Sequence, residues 1–151
     1  MRDVAAHTVA YLDQGRFRLL GAYVRARFDV DRLNAHALED SARRTPAGLA
    51  HQMRQGIEPW GAGALYGGRV ALIECLIHQL DVRRPLRLPR RVPDEALSAA
   101  LDYALRSPVI KTPRGLRFVA TDLDWSGGRG RELAGPAEEL LLAVTGRAVL
   151  L

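Results

Sequence analysis

The sequence contains a single cysteine, Cys75, and a single lysine, Lys111, among its 151 residues. One cysteine cannot form an internal disulfide, and it excludes a metal or redox centre built from several thiolates. With 48% hydrophobic and 26% charged residues, the composition is otherwise typical of one soluble globular domain. The length suffices for a core and a small appended subdomain.

Long apolar runs are also absent. The longest, Leu140 to Val144, falls far short of the roughly 18 residues that a membrane-spanning helix requires. The N-terminal segment does not resemble a secretory signal, because Asp3, His7 and Asp13 interrupt what would be its apolar centre. The sequence therefore predicts a cytoplasmic protein with no membrane partner.

The basic residues are almost all arginines, and the net charge is +5. Their densest cluster is the segment RRPLRLPRR at 83–91, which contains two prolines and no aromatic residue. Bases would find no stacking platform there, and the prolines prevent a helix from carrying the arginines into a groove. The segment is interpreted as a solvated linker, and nucleic acid is not expected as a partner.

Apolar residues at helical spacing predict a mainly α protein. Thr45 followed by Pro46 predicts an N-cap and first helical residue, and Asp29 or Asp31 is a second candidate N-cap. The segment Arg69 to Asp81, which would be apolar nearly all round as a helix, predicts a buried helix after a glycine-rich loop at 56–68. The other helices are predicted from Val4, His7 and Tyr11, from Phe17, Leu20, Val24 and Phe28, and from Leu97, Leu101 and Leu105.

The last third of the chain changes character and predicts short antiparallel strands. Residues 109–111 and 116–121 flank a proline-glycine turn and are predicted to form a hairpin. Gly135 and Pro136 are predicted to open a terminal helix. The predicted architecture is a DinB-like helical bundle over residues 1–107 with a small C-terminal α/β subdomain, residues 108–151, packed on it.

Two polar residues interrupt the apolar segment Arg69 to Asp81. Glu74 and His78 stand at i and i+4, so their side chains lie about 40° apart on one helix face. Burying both without partners would cost several kcal/mol. A divalent metal, an ordinary hydrogen-bonded pair, or a face turned partly to solvent would each satisfy them, and the spacing leaves all three open.

His7, in the middle of the first predicted helix, is the natural third ligand, although a lone histidine there is more often a core residue. Two histidines and one carboxylate leave an open coordination position, which suits zinc or another first-row ion. Asp81, one turn beyond His78, is predicted to orient that ligand.

Three further residues are not assigned to the site. His51 is predicted to be exposed, and His36 is given no role. Cys75 projects about 100° away from Glu74 and is interpreted as a small buried hydrophobe.

The segments RDVAAH at 2–7, ECLIHQLD at 74–81 and ATDLDWSGGRGRELAGPAEELLLAVTGR at 120–147 occur in this order. Together they resemble the mycothiol-dependent maleylpyruvate isomerase family, part of the DinB-like metalloenzyme superfamily. The resemblance implies a four-helix bundle holding one divalent metal, usually zinc, through His7, Glu74 and His78. It also implies the thiol mycothiol as cosubstrate, whose metal-activated sulfur attacks a small electrophile in an isomerisation or transfer reaction.

Members of that family carry a further helix before the RDVAAH-like segment, with which this chain begins. The resemblance therefore leaves three alternatives: the start of the chain is misassigned, the bundle lacks its first helix and is completed by another chain such as a second copy, or the protein is a degraded copy of the family. A missing helix would expose an apolar core face, which tends to find a partner or to aggregate. A second hypothesis is a non-catalytic bundle module that binds a protein partner through that face. A third, nucleic-acid binding by the arginine segment, would show strong salt dependence.

Overall fold

The computed structural model describes residues 2–12, 14–41, 43–58 and 60–147. Over these residues the protein has seven helices and one three-stranded sheet, which confirms the prediction of a mainly α fold with a small C-terminal α/β piece. None of the described helices is long and apolar enough to cross a membrane. The chain divides into two compact units, Met1–Leu86 and Arg87–Leu151.

Five of the described helices belong to the N-terminal unit. They are α1 (Arg2–Leu12), α2 (Arg16–Arg25), α3 (Val30–Ser41), α4 (Pro46–Gln55) and α5 (Arg69–Arg83). The first helix is central, since it packs against α3, α4 and α5, while α2 contacts α3. The core of this unit is built from small and aliphatic side chains on four helices, among them Ala6, Val9, Leu33, Leu49, Ile73 and Leu76.

Two helix starts in this unit have the predicted caps. The Thr45 hydroxyl oxygen accepts a hydrogen bond from the Gly48 N–H at 3.1 Å, with Pro46 as the first helical residue of α4. The Asp29 carboxylate accepts from the Arg32 N–H at 3.0 Å and caps α3. Each cap satisfies a backbone donor that the helix itself leaves unpaired, which is typically worth about 1 kcal/mol.

The predicted buried helix is α5, and it extends two residues beyond the predicted end at Asp81. It begins after Gly68, whose φ of +80° is a conformation that few other residues adopt without strain. The glycine-rich segment before it forms turns, as predicted. Five apolar side chains of α5 are buried: Ala71, Ile73, Leu76, Ile77 and Leu80.

The predicted second helix, α2, is present, but its large apolar residues face solvent. Phe17 is 92% exposed, and Leu20 and Val24 are more than half exposed. Ala26, the residue that follows the last residue of the helix, is fully buried. The helix therefore presents a stripe of large apolar side chains outward, while Leu19 on its other face is half-buried.

The C-terminal unit contains two helices and the sheet. The helices are α6 (Asp94–Arg106) and α7 (Ala137–Val144), and the strands are β1 (Leu116–Ala120), β2 (Ser126–Gly128) and β3 (Arg131–Gly135). The strand order is β2-β1-β3, with β1 antiparallel to β2 and parallel to β3, so the predicted antiparallel arrangement is wrong for the pairing of β1 with β3. Phe118 on the central strand is fully buried. Helix α7 begins after Pro136 as predicted, where the Ala137 N–H donates to the Asp122 carboxylate at 2.8 Å.

The predicted hairpin between residues 109–111 and 116–121 is wrong. Residues 109–111 form no strand, and both edges of β1 are already paired, with β2 on one side and β3 on the other. No edge of β1 remains for a further strand. The segment is held differently, since the Thr112 hydroxyl donates to the Ala104 carbonyl at 3.2 Å.

The division between the two units also differs from the predicted boundary at residues 107 and 108. It lies between Leu86 and Arg87, within the arginine-rich segment that was interpreted as a linker. Helix α6, which the sequence analysis grouped with the bundle, packs against α7 and β2. Its apolar face, including Leu97, Leu101 and Ala104, is buried.

Candidate metal centre

The candidate site lies in the N-terminal unit, where α1 and α5 pack together. His7 comes from the middle of α1, beside the fully buried Val9 and Ala6. Glu74 and His78 come from successive turns of α5, and their i, i+4 spacing places both on the face that meets α1. The structure thus brings together the three residues that the sequence analysis assigned as ligands.

The three side chains meet at one carboxylate oxygen. The Nε2 atoms of His7 and His78 each lie 3.2 Å from Glu74 Oε2. The two imidazole rings stand edge to face, with centroids 4.7 Å apart and planes at 83°. All three side chains are largely shielded, with 14% of His7, 27% of Glu74 and 15% of His78 exposed.

Asp81 contacts the same cluster from the other side of His78. Its Oδ2 atom lies 3.0 Å from His78 Nδ1, so each ring nitrogen of His78 faces a carboxylate. A carboxylate accepts hydrogen bonds, so a His78 ring protonated on both nitrogens would donate to Glu74 and to Asp81. Asp81 is placed to orient the ring of His78, the role predicted for it.

The electrostatics of the cluster follow from these contacts. Burial alone would raise the pKa of the Glu74 carboxyl, but hydrogen bonds and positive charge from His7 and His78 lower it from 4.5 to about 2. Burial alone would lower the pKa of His78, but Glu74, followed by Asp81, raises it above its ordinary value of 6.5. Near neutral pH the Glu74 carboxylate is therefore ionised.

The same three residues fit a divalent metal. One ligand atom from each of His7, Glu74 and His78 lies within 4.8 Å of the others, and this is the one such group among the described residues. In a tetrahedral zinc site, metal–ligand bonds of about 2.0 to 2.1 Å set neighbouring ligand atoms about 3.3 Å apart. Two of the three separations between ligand atoms, 3.2 Å each, are close to that spacing, and a metal held by three protein ligands would keep a position for a small molecule.

The remaining histidines and Cys75 stay outside the cluster. His51 on α4 is exposed, as predicted. His36 borders a separate cavity of about 100 Å³ formed by α1, α2 and α3. Cys75 is only half-buried, so the expectation of a fully buried small hydrophobe is not met. Both histidines contact one oxygen of Glu74, and this contact could not be predicted from the sequence because it depends on how α1 packs on α5.

Comparisons with protein-family models, with curated proteins and with solved structures found no match for this chain. The resemblance to the maleylpyruvate isomerase family therefore rests on the sequence segments that carry it.

Proposed function

We propose that this protein is a metal-dependent enzyme that activates a small thiol for transfer to, or isomerisation of, an electrophilic substrate. The observation that carries the proposal is the convergence of His7, Glu74 and His78 on one point between α1 and α5. Zinc is the first choice of metal, since two imidazoles and one carboxylate with an open position are a common catalytic zinc set. Mycothiol is the thiol to test first, because the resemblance implies it.

Three residues would bind the proposed metal, and a fourth would orient one of them. His7 and His78 would each offer a neutral Nε2 atom, and Glu74 would offer Oε2. Asp81 would accept the Nδ1–H of His78, which fixes the tautomer that leaves Nε2 free to bind. With both histidines bound as neutral imidazoles, Glu74 would supply the one negative charge among the ligands.

The chemistry that a bound metal supplies at this site is stabilisation of a thiolate, the nucleophilic form of a thiol, at neutral pH. The sulfur would add to an activated double bond of the substrate. If the thiolate leaves again after rotation about the former double bond, the substrate is isomerised. If a proton is added at the neighbouring carbon instead, the sulfur stays bound and the product is a conjugate.

The test is the metal content and thiol chemistry of the purified protein. We expect about one equivalent of zinc in the wild type after removal of loosely bound ions, and almost none in His78→Ala. His51→Ala, which removes an exposed histidine of the same unit, is the matched control and should keep its metal. Mycothiol consumption with a panel of electrophiles should follow the metal content across the three proteins.

Two outcomes would contradict the proposal. Folded wild-type protein with no retained metal would reject the metal site. Retained metal with no thiol consumption for any electrophile would reject the enzymatic part and favour a non-catalytic bundle module.

A further inference from the structure

Helix α2 presents its large apolar side chains to solvent. Phe17, Leu20 and Val24 stand at i, i+3 and i+7, so they form one stripe along the helix, and each is more than half exposed. Phe28, three residues beyond the end of the helix, is also exposed and continues the stripe. We call these four residues the α2 stripe. No side chain of α2 is fully buried, and Leu19 on the other face of the helix is half-buried.

Arginines border the α2 stripe. Arg16 lies on one side of the stripe, and Arg18 and Arg25 lie on the other, roughly 70 to 130° around the helix from its centre. Arg18 and Arg25 also line the cavity between α1, α2 and α3, which Asp40 borders as well. Arg27 lies two residues beyond the end of the helix. Residues 14–28 contain no acidic residue, and none of these four arginines forms an ion pair with another described residue.

An aromatic side chain stands at each end of the stripe. The indole ring of Trp60 lies beside Gly15, the residue before α2, and it is 54% exposed. The neighbouring chain is tied to the helix start, because the Ala62 N–H donates to the Gln14 carbonyl at 2.8 Å. At the other end, the rings of Phe28 and Tyr23 pack edge to face with centroids 5.6 Å apart.

We propose that the α2 stripe docks this protein on an anionic lipid surface, with α2 lying in the plane of the interface. An amphipathic helix with Phe, Leu and Val on one face and arginines at its margins has the properties that such a surface selects. Arginines near anionic headgroups strengthen binding by electrostatic attraction, and Trp60 matches the enrichment of tryptophan at membrane interfaces. The absence of a spanning helix, from which the sequence analysis predicted no membrane partner, does not bear on docking of this kind.

Charge favours a lipid surface over a second copy of this chain. A two-fold contact through the α2 stripe would set the patch against itself, so the arginines of one copy would face those of the other. Like charges in contact without carboxylates between them disfavour that arrangement. A lipid surface instead supplies phosphate groups for the arginines and an apolar layer for the stripe.

The test is co-sedimentation of the full chain with lipid vesicles. We expect binding to vesicles of phosphatidylcholine with added phosphatidylglycerol, much weaker binding to phosphatidylcholine alone, and loss of binding as salt is raised. Replacing Phe17→Ser together with Leu20→Ser should lower the partition coefficient by about tenfold or more. The matched control is Leu86→Ser with Leu88→Ser, which removes two exposed leucines outside the stripe and should leave binding unchanged.

Trp60 provides an independent measurement. Its fluorescence should shift to shorter wavelength when anionic vesicles are added, and Trp60→Phe should remove the shift while Trp125, in the C-terminal unit, continues to emit. Circular dichroism of each variant checks that the fold is intact.

Three results would overturn the proposal. They are equal binding to both kinds of vesicle, unchanged binding by the Phe17 and Leu20 variant, and a dimer in sedimentation equilibrium that the same variant dissociates. Preferential binding of the stripe to an acidic polypeptide such as polyglutamate, with no binding to vesicles, would assign the surface to a protein partner instead.

Discussion

Helices α5 and α2 distribute polar and apolar residues in opposite ways. Helix α5 is apolar nearly all round and largely buried, and it holds Glu74 and His78 against another helix. Helix α2 is regularly amphipathic, and it turns Phe17 and Leu20 toward solvent. The spacing of apolar residues in a sequence identifies the faces of a helix, but packing against neighbouring elements decides which face is covered. Both helices depart from the simple rule of polar outside and apolar inside, and we assign function to both departures.

The largest expected effect is a difference in stability between two variants, one with a substitution in each helix. Leu76→Ala in α5 should lower the free energy of unfolding by about 2 to 5 kcal/mol, because it leaves a cavity at a side chain that is 2% exposed. Leu20→Ala in α2 should change it by less than about 0.5 kcal/mol, because that leucine is already in water. Urea denaturation of both variants checks this. Equal losses would mean that the α2 stripe is covered in solution.

The second-largest expected effect is the pH dependence of the free energy of unfolding that Glu74 and His78 give the protein without metal. The folded-state pKa of Glu74 is lowered from 4.5 to about 2, so its contribution to stability is present above pH 4.5 and is lost as pH falls toward 2. The pKa of His78 is raised above 6.5, so its contribution is present below pH 6.5 and is lost as pH rises through the folded value. The two contributions overlap between pH 4.5 and 6.5.

The measurement compares wild type with Glu74→Gln by urea denaturation in the presence of a chelator. The stability advantage of wild type should be greatest between pH 4.5 and 6.5, where we expect it to be of order 1 to 3 kcal/mol, and it should shrink on both sides. Glu58→Gln, at an exposed glutamate, should show no such maximum. With zinc bound, the stability advantage of wild type should instead grow as the pH rises above 6.5, because protons no longer compete with the metal for the histidines. A flat pH profile without metal would contradict the described hydrogen bonds.

The smallest effect concerns Asp81, which contacts His78 but is not a proposed ligand. Asp81→Asn should weaken zinc binding by about 10- to 100-fold, since residues that orient a ligand typically contribute that much. Competition with a chromophoric chelator gives the affinity. Asp31→Asn, at an exposed aspartate in the first turn of α3, is the control. Unchanged affinity in Asp81→Asn would show that His78 is held in place by packing alone.

Part of the site could be predicted from the sequence because it is local. The spacing of Glu74 and His78 within one helix is a property of the chain itself, and the contact of His78 with Asp81 follows from the same geometry. His7 is different, because its distance from Glu74 depends on how α1 packs on α5. Its position in the middle of the first predicted helix made His7 a candidate ligand, and the resemblance of the RDVAAH segment to a family motif added a second reason, but neither shows that α1 brings it to Glu74.

The fold was predictable to a similar depth. The caps at Thr45 and Asp29 are encoded by single residues and their neighbours, and both were found. The sheet was not, because strand pairing joins residues that no local pattern links. Strand β3, with the sequence RELAG, contains no β-branched residue and gave little strand signal. The spacing of apolar residues also could not predict that the α2 stripe is exposed.

The order of the strands in the sheet has a consequence for the length of one connection. Strands β2 and β3 lie on opposite edges of β1, so the chain must travel about 10 Å between them. Only Arg129 and Gly130 join the two strands, and three steps along a fully extended chain reach about 10 to 11 Å. The connection is therefore taut, and Gly130 crosses directly against the Gly115 carbonyl, with no room for a side chain. Natural variation in this loop should thus consist of insertions, because a chain shortened by one residue could pair with only one edge of the sheet.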